Sequence, residues 1–275
     1  LITFLESIKS NKNDNNNSNY LSYNQFIYQE TFRNLFTSLK FSNPDDNLKI
    51  ILCTSSLPSE GKTLINILLA KTMSDFGKKV LLIDADMRKP QIHKRLNLDN
   101  ISGLSNLLID DSINLNDVIQ KVGKKKNLSI ITSGTIPPDS SSLIDSNKMK
   151  TLVKSLKNND NFDIILFDSP PILGISDAVL LGQYVDGLVM IISLNKVQRS
   201  LPLNAINRVK INKTPILGFI SNETTQNPTY IYFDNPTYSY NNDYVYSAYN
   251  PDSAFKYYKN IDNELSQFKK SEFIN

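Results

Sequence analysis

Short apolar segments alternate with helical patterns through the middle of the chain, and this alternation constrains the fold more than any other feature. Runs rich in Ile, Leu and Val, bounded by turn residues, occupy residues 49–54, 80–84, 128–132, 163–168, 188–194 and 216–221. Helical spacing lies between most of them, at residues 63–76, 115–122, 142–156, 177–184 and 203–211. Strands that are apolar on both faces are typical of a parallel sheet covered by helices on both sides. We therefore expect an α/β fold with a mostly parallel central sheet.

The two ends of the chain differ in composition from this middle part. Residues 1–22 hold a short apolar start and an Asn-, Asp- and Ser-rich stretch, typical of a linker. Apolar residues from about 23 to 39 follow one helix face, so we expect the domain to cover residues 23–222. Residues 223–275 contain nine of the thirteen tyrosines but few aliphatic side chains. Such a segment buries too little apolar surface to become ordered, and we expect a flexible tyrosine-rich tail.

Composition excludes several classes of function. A single cysteine, Cys53, rules out an intramolecular disulfide framework and any site built from several cysteines. With His93 as the single histidine, a zinc centre is not expected. The formal net charge of +3 suits a polyanion or a membrane surface, and it is too small to indicate a nucleic-acid partner.

The strongest local motif is the sequence SSLPSEGKT at residues 55–63, which follows an apolar strand and opens an apolar helix. This context predicts a phosphate-binding loop, in which backbone N–H groups at the helix N-terminus face an anion. Lys62 would neutralise phosphate charge, and the Thr63 hydroxyl would bind Mg²⁺. The usual pattern has glycine where Ser56 stands. The residues expected to contact the nucleotide here are Ser59, Glu60, Gly61, Lys62 and Thr63.

Two acidic strand ends support a nucleotide site. Asp84 ends the strand at residues 80–84, and Asp86 lies two residues later. Side chains two residues apart on an extended chain point the same way, so these two acids should face the same side. Asp168 ends the strand at residues 164–168, as the Mg²⁺-binding acid of a Walker B element does. Open α/β sheets bind ligands at the carboxyl ends of their strands, so we expect these acids beside the phosphate-binding loop.

Together these motifs resemble the cytoplasmic domain of bacterial tyrosine kinases (BY-kinases), which are polysaccharide-export autokinases related to the MinD/ParA ATPases. The resemblance covers roughly residues 24–258. It includes the phosphate-binding loop, an Asp-x-Asp-x-Arg-Lys-Pro run at residues 84–90 similar to the family's Walker A′ element, and the tyrosine-rich tail. It implies a MinD/ParA-like P-loop fold, ATP and Mg²⁺ as cofactors, and a protein-tyrosine autokinase that regulates capsular or extracellular polysaccharide biosynthesis and export.

The resemblance also implies roles for the acidic residues. Lys62 would bind the phosphates, and Thr63 and Asp168 would hold Mg²⁺. Asp86 would support the metal directly or through water, and Asp84 would orient or deprotonate the incoming tyrosine hydroxyl.

Further roles fall outside the acidic cluster. Arg88 is expected among the cofactor-binding residues, where it would steady the acidic run, or it would contact a neighbouring subunit. Asn222, also expected to bind the cofactor, corresponds to a position near the adenine in related ATPases. The tail would carry the autophosphorylation sites, phosphorylated in trans between ring neighbours. The candidates are Tyr230, Tyr232, Tyr238, Tyr240, Tyr244, Tyr246, Tyr249, Tyr257 and Tyr258.

The expected partners follow from the same resemblance. Glu30 and Arg33 match the first part of a helix that contacts the adjacent subunit in a homo-oligomeric ring, and Phe36 replaces the second arginine of that motif. Residues 1–7 look like the linker after a transmembrane helix. We therefore expect a transmembrane activator region, either upstream or on a separate protein, a protein-tyrosine phosphatase as partner, and a place on the cytoplasmic face of the bacterial inner membrane.

Two alternatives stay open on the sequence. The first is a MinD/ParA-like ATPase that positions cargo, although Ser55 and Ser56 stand where those proteins usually carry an extra lysine. The second is a nucleotide-binding scaffold with weakened catalysis. Two residues favour this second alternative. Ser59 stands where the family commonly has glycine, and its β-carbon restricts positive φ. Phe36 removes one possible salt bridge between neighbouring subunits of the oligomeric ring.

Overall fold

The computed structural model describes residues 17–42, 48–123, 127–194 and 196–222. The expected tail at residues 223–275, with all nine candidate tyrosines, lies outside the described residues, as does most of the expected linker. The chain separates into two units, one of residues 1–31 and 226–275 and one of residues 32–225. The second unit carries the sheet. The expected boundaries at residues 22 and 222 stay a prediction.

Within the described ranges the strands form one seven-stranded sheet in the order β3-β4-β2-β5-β1-β6-β7. All neighbouring pairs are parallel except β3 and β4. This arrangement confirms the α/β fold with a mostly parallel sheet. The strands are β1 (Ile50–Ser55), β2 (Val80–Asp84), β3 (Ile119–Val122), β4 (Leu128–Ile131), β5 (Ile164–Asp168), β6 (Gly187–Ser193) and β7 (Ile216–Asn222).

Helices connect the parallel strands and cover the sheet. No helix in the described ranges is both long and apolar enough to cross a membrane. The helices are α1 (Asn17–Phe41), α2 (Lys62–Asp75), α3 (Ile92–Leu96), α4 (Leu104–Ile109), α5 (Leu115–Val118), α6 (Ser140–Ile144), α7 (Asn147–Lys157), α8 (Asp177–Gly182) and α9 (Ser200–Ile211).

Three helical expectations differ from the structure. The helix expected at residues 115–122 ends at Val118, and its second half is wrong because residues 119–122 pair antiparallel with β4 as an edge strand. The helix expected at residues 142–156 is two helices, since the Ser146 side chain caps the first turn of α7 by accepting a bond from the Met149 N–H. Helix α1 begins at Asn17, earlier than the expected start near residue 23.

Apolar side chains form one buried layer on each face of the sheet. Alternation along β1 places Ile50 and Leu52 in the layer under α7, α8 and α9, and Ile51 and Cys53 in the layer under α2. The end of α1 joins the second layer through Phe36. Both faces are covered, and the polar side chains of β1, β2, β5 and β6 lie at or near the carboxyl ends of these strands.

Candidate active site

The carboxyl ends of β1, β5 and β2 lie side by side, and they bring the three predicted motifs to one place. Strand β5 lies between β1 and β2, and all three run parallel. Asp168 at the end of β5 pairs in register with Asp84 at the end of β2 and with Cys53 near the end of β1. The phosphate-binding loop follows β1 directly. The expected convergence of loop and acids is therefore present in the fold.

Two residues in the left-handed region shape the loop. Ser59 has φ 65° and Gly61 has φ 91°, just before α2 begins at Lys62. A Cβ at Gly61 would be strained at this φ and would also displace the Asn222 side-chain amide from its bond to the Glu60 carbonyl oxygen, so glycine is strongly favoured there. Ser59 adopts the positive φ that its β-carbon disfavours, and the loop therefore carries local strain at this position.

Lys62 is buried among the acids. Its Nζ lies 3.0 Å from Asp86 Oδ2 and 3.4 Å from Thr63 Oγ1. Burial by itself would lower the pKa of Lys62, but the negative charges of Asp168 and Asp86 outweigh it, and the pKa is raised. The amine is therefore a fixed positive charge at the start of α2, where the helix N-terminus also favours an anion.

Asp84 is fully buried and takes part in shaping the segment that follows β2. Its Oδ2 accepts the backbone N–H groups of Gln91 and Ile92 at 3.2 and 3.1 Å, and its Oδ1 accepts a longer bond of 3.3 Å from the Asp86 N–H. Burial and the charge of Asp168 raise the pKa of the Asp84 carboxyl well above its ordinary range. Oδ1 keeps one lone-pair direction for a further donor.

Asp168 has the features of a cation ligand. It is fully buried, and its Oδ2 has no hydrogen-bond partner among the described residues. Burial raises the pKa of the carboxyl, and the charge of Lys62 opposes that rise. The Thr63 hydroxyl is close enough to lower the same pKa. An unpaired buried carboxylate oxygen beside a hydroxyl is a donor set that fits Mg²⁺.

No three His, Cys, Asp or Glu side chains in the described part of the chain are arranged to hold a metal ion by themselves. In nucleotide sites Mg²⁺ keeps several waters and takes substrate phosphates as ligands, so it needs few protein groups. Asn66, which sequence reasoning missed, lies beside Asp168 and donates to its Oδ1 at 3.4 Å. Its spacing of one helical turn after Lys62 was the available signal.

Arg88 is engaged by Asp177 rather than by the acidic run. Its Nε and Nη2 donate to the two Asp177 carboxylate oxygens at 3.0 and 3.2 Å. Ser140 and Ser141 donate to the same fully buried carboxylate at 2.8 and 2.6 Å. Asp177 was missed because no local sequence pattern indicates a partner so far along the chain.

Glu60 and Asn222 contact the loop itself. The Glu60 side chain points inward and is 1% exposed. The Asn222 Nδ2 donates to the Glu60 carbonyl oxygen at 2.9 Å, so the residue expected near the adenine supports the loop backbone. The expected subunit-contact residues lie on α1, where the Arg33 guanidinium carbon is 5.9 Å from the centre of the Phe76 ring, within cation–π range.

The site and fold agree with known proteins. Residues 49–215 match the AAA domain family. Tyrosine-protein kinase YwqD from Bacillus subtilis strain 168 is 36% identical over 196 residues, which cover 71% of this chain and 81% of the relative. The putative tyrosine-protein kinase CapB from Staphylococcus aureus is 34% identical over 206 residues, covering 74% of this chain and 89% of the relative.

A solved kinase-domain structure has a similar fold. The kinase domain of the Escherichia coli tyrosine kinase ETK superimposes with a TM-score of 0.68 at 30% identity, covering 78% of this chain and 81% of that chain. Relatives named as tyrosine kinases do not favour the cargo-positioning ATPase. The chain belongs to the family of bacterial tyrosine kinases, protein-tyrosine kinases built on a nucleotide-binding P-loop fold.

Proposed function

We propose that the chain uses ATP and Mg²⁺ to phosphorylate tyrosines in its own tail, between residues 230 and 258. The observation that carries this proposal is the convergence of Lys62, Asp84, Asp86 and Asp168 on the phosphate-binding loop. Phosphoryl transfer needs alignment and charge neutralisation more than covalent chemistry, and this arrangement supplies both.

The loop and Lys62 bind the triphosphate of ATP. Backbone N–H groups before α2 face the phosphates, and Lys62 neutralises the charge on the β- and γ-phosphates. In the structure Lys62 is held by Asp86 at 3.0 Å. Binding of the phosphates therefore exchanges one anionic partner of Lys62 for another, which keeps a buried amine paired throughout.

Thr63 and Asp168 would hold Mg²⁺, with Asp86 supporting it directly or through water. The unpaired Oδ2 of Asp168 and the neighbouring Thr63 hydroxyl support this assignment. When bound, the ion neutralises phosphate charge that develops during transfer.

Asp84 orients or deprotonates the tyrosine hydroxyl. A phenol of pKa about 10 is a poor nucleophile at neutral pH, so a carboxylate within hydrogen-bond reach makes the attack easier. Of the two Asp84 carboxylate oxygens, Oδ1 makes the single and longer bond, to the Asp86 N–H, and is the one we assign to that hydroxyl.

The tail reaches a site at high effective concentration because it is tethered to the enzyme. We propose that transfer occurs in trans between copies in a ring, with Glu30 and Arg33 on the contact helix. We also propose a transmembrane activator region, upstream or on a separate protein, a phosphatase partner, a place at the cytoplasmic face of the bacterial inner membrane, and a role in capsular or extracellular polysaccharide export. One relative, from Klebsiella pneumoniae, is named for the cps region.

Mapping of phosphotyrosine tests the proposal. The protein is incubated with Mg-ATP, with and without a membrane activator, and modified residues are located by mass spectrometry. We expect phosphotyrosine between residues 230 and 258 in the wild type and in Lys71→Met, and none in Lys62→Met. Lys71 is the matched control because it lies on the same helix in an exposed ion pair with Asp75.

The other outcomes separate the alternatives. ATP hydrolysis without phosphotyrosine would indicate a cargo-positioning ATPase. Nucleotide binding with neither activity, even with the activator present, would indicate a scaffold.

A further inference from the structure

Glu60 is a charged residue inside the phosphate-binding loop whose side chain does not face the nucleotide. The residue is 1% exposed, and its carboxylate accepts three hydrogen bonds. Oε1 accepts the Ser56 hydroxyl at 2.6 Å and the Leu57 N–H at 2.5 Å, and Oε2 accepts the Ser193 N–H at 2.8 Å. A buried carboxylate with three donors links the segments that carry them, because separating them would leave buried polar groups without hydrogen-bond partners, at a large cost in free energy.

The three donors come from two separate segments, the start of the phosphate-binding loop and the end of β6. Ser56 and Leu57 begin the loop after β1, and Ser193 is the last residue of β6, the strand that pairs with β1. Glu60 itself stands one residue before Gly61, where the chain turns into α2. The carboxylate therefore connects the start of the loop, its end and the neighbouring strand.

The link also explains a departure from the usual motif. Serine stands at residue 56, where glycine is usual, and its hydroxyl is fully buried against Glu60. A serine hydroxyl there is useful only with an acceptor within reach, since an unpaired buried hydroxyl destabilises the fold. Asn222 adds a further bond, from its amide to the Glu60 carbonyl oxygen.

We propose that Glu60 is a positioning residue for ATP binding: its carboxylate, paired with Ser56, holds the loop N–H groups in the arrangement that receives the phosphates. The proposal rests on the proposed function, because it assumes that ATP binds at this loop. It assigns the carboxylate a role distinct from contact with nucleotide, and it predicts that affinity depends on a side chain that never touches ATP.

Substitution Glu60→Gln tests the role with minimal change in size. A glutamine side chain has one acceptor oxygen and one NH₂ group, so the NH₂ must face either the Leu57 N–H or the Ser193 N–H. One backbone donor then loses its acceptor whichever way the amide turns. Ser56→Ala is the milder variant, since it removes one hydroxyl and leaves both backbone bonds in place.

Asp186→Asn is the matched control. The Asp186 Oδ2 accepts the N–H groups of Lys49 and Ile50 at 3.1 and 2.8 Å, so this carboxylate anchors the opposite end of β1. Its Oδ1 pairs with Lys157, and within the described ranges the residues proposed for the site are not among its hydrogen-bond partners. In Asp186→Asn the amide oxygen can keep both backbone bonds while the NH₂ group faces Lys157, so the variant removes the charge of a comparable backbone-binding carboxylate at the opposite end of the same strand, away from the loop.

The measurement is the Kd for a fluorescent ATP analogue with Mg²⁺, on the full chain at a temperature well below each variant's unfolding transition. We expect Glu60→Gln to weaken binding about tenfold, because about one hydrogen bond to a charged group is lost, and Ser56→Ala to weaken it about threefold. Asp186→Asn should leave the affinity unchanged. The KM for ATP should rise with the Kd, while kcat at saturating ATP changes less.

Two results would overturn the inference. One is equal affinity in Glu60→Gln and wild type. The other is a loss of affinity in Asp186→Asn as large as in Glu60→Gln, which would make the effect one of general stability. If Glu60→Gln fails to fold, unchanged affinity in Ser56→Ala overturns it as well. A wild type that binds no nucleotide would instead contradict the proposed function.

Discussion

Gly61 is the residue on which the backbone of the loop depends most. It combines φ 91° with a position where any Cβ would meet the Asn222 amide. Gly77, just after α2, has a similar φ of 84° but open space where a Cβ would stand. Comparing substitutions at Gly61 and Gly77 therefore separates the effect of backbone strain from the effect of a collision.

We expect Gly61→Ala to reduce ATP affinity by more than about tenfold, because strain and collision together displace the loop N–H groups. Gly77→Ala should cost only about 1 kcal/mol of stability through its left-handed φ and leave affinity unchanged. Calorimetric titration with a non-hydrolysable ATP analogue and urea unfolding measure the two effects. Wild-type affinity in Gly61→Ala would contradict this account of the loop.

The Asp177 carboxylate gives a prediction for pH dependence. Burial by itself would raise its pKa, but hydrogen bonds from Arg88, Ser141 and Ser140 outweigh it, and the pKa is lowered. A carboxyl with a lowered folded-state pKa contributes stability above its unfolded value of about 3.9 and loses it as pH falls through the folded value.

Asp177→Asn should therefore reduce the free energy of unfolding at pH 7 by about 2 kcal/mol, the range for hydrogen bonds to a charged group. The difference from wild type should shrink as pH falls below about 4, because the carboxyl takes up a proton in the unfolded state before it does so in the folded state. Urea unfolding at a series of pH values measures it. A difference that stays constant down to the lowest pH at which both proteins fold would show that this charge does not matter.

At the scale of elements, the end of α1 is part of the core. Phe36 is 9% exposed, packs in the layer under α2, and lies 5.5 Å from Phe76 between ring centres. Phe36, which stands where the expected contact motif has its second arginine, is therefore used for packing within its own domain. Phe41, at the end of the same helix, is 75% exposed.

Phe36→Ala should reduce the free energy of unfolding by about 3 kcal/mol, as expected for loss of a buried aromatic ring. Phe41→Ala, on the same helix, should change it by less than about 0.5 kcal/mol. Denaturant unfolding of the full chain compares them. Equal, small effects of both substitutions would mean that α1 does not pack on the sheet.

Sequence patterns predicted the strands that form apolar runs and missed the edge strand β3, whose residues are mixed. Strands such as β2 and β5 are continuous apolar runs, which indicate buried parallel strands directly. The edge strand β3, with sequence IQKV, lacks such a run and gains its structure only by pairing with β4. Local periodicity carries no information on that pairing.

At the scale of the whole molecule, the site was predictable because its motifs lie at strand ends, and parallel strands bring their carboxyl ends together. The links between distant segments were not predictable. Arg88 pairs with Asp177, and Glu60 with the N–H of Ser193, across long stretches of sequence. Neither pair belongs to a local pattern, so only the folded chain shows which carboxylates support the site and which belong to it.

A crystal structure of the full chain with Mg²⁺ and a non-hydrolysable ATP analogue tests the central claim most directly. We expect the triphosphate in the loop at residues 55–63, the Lys62 amine moved from Asp86 to the phosphates, and the metal bound beside Thr63 and Asp168. A nucleotide bound elsewhere, with the Lys62–Asp86 ion pair intact, would contradict the account.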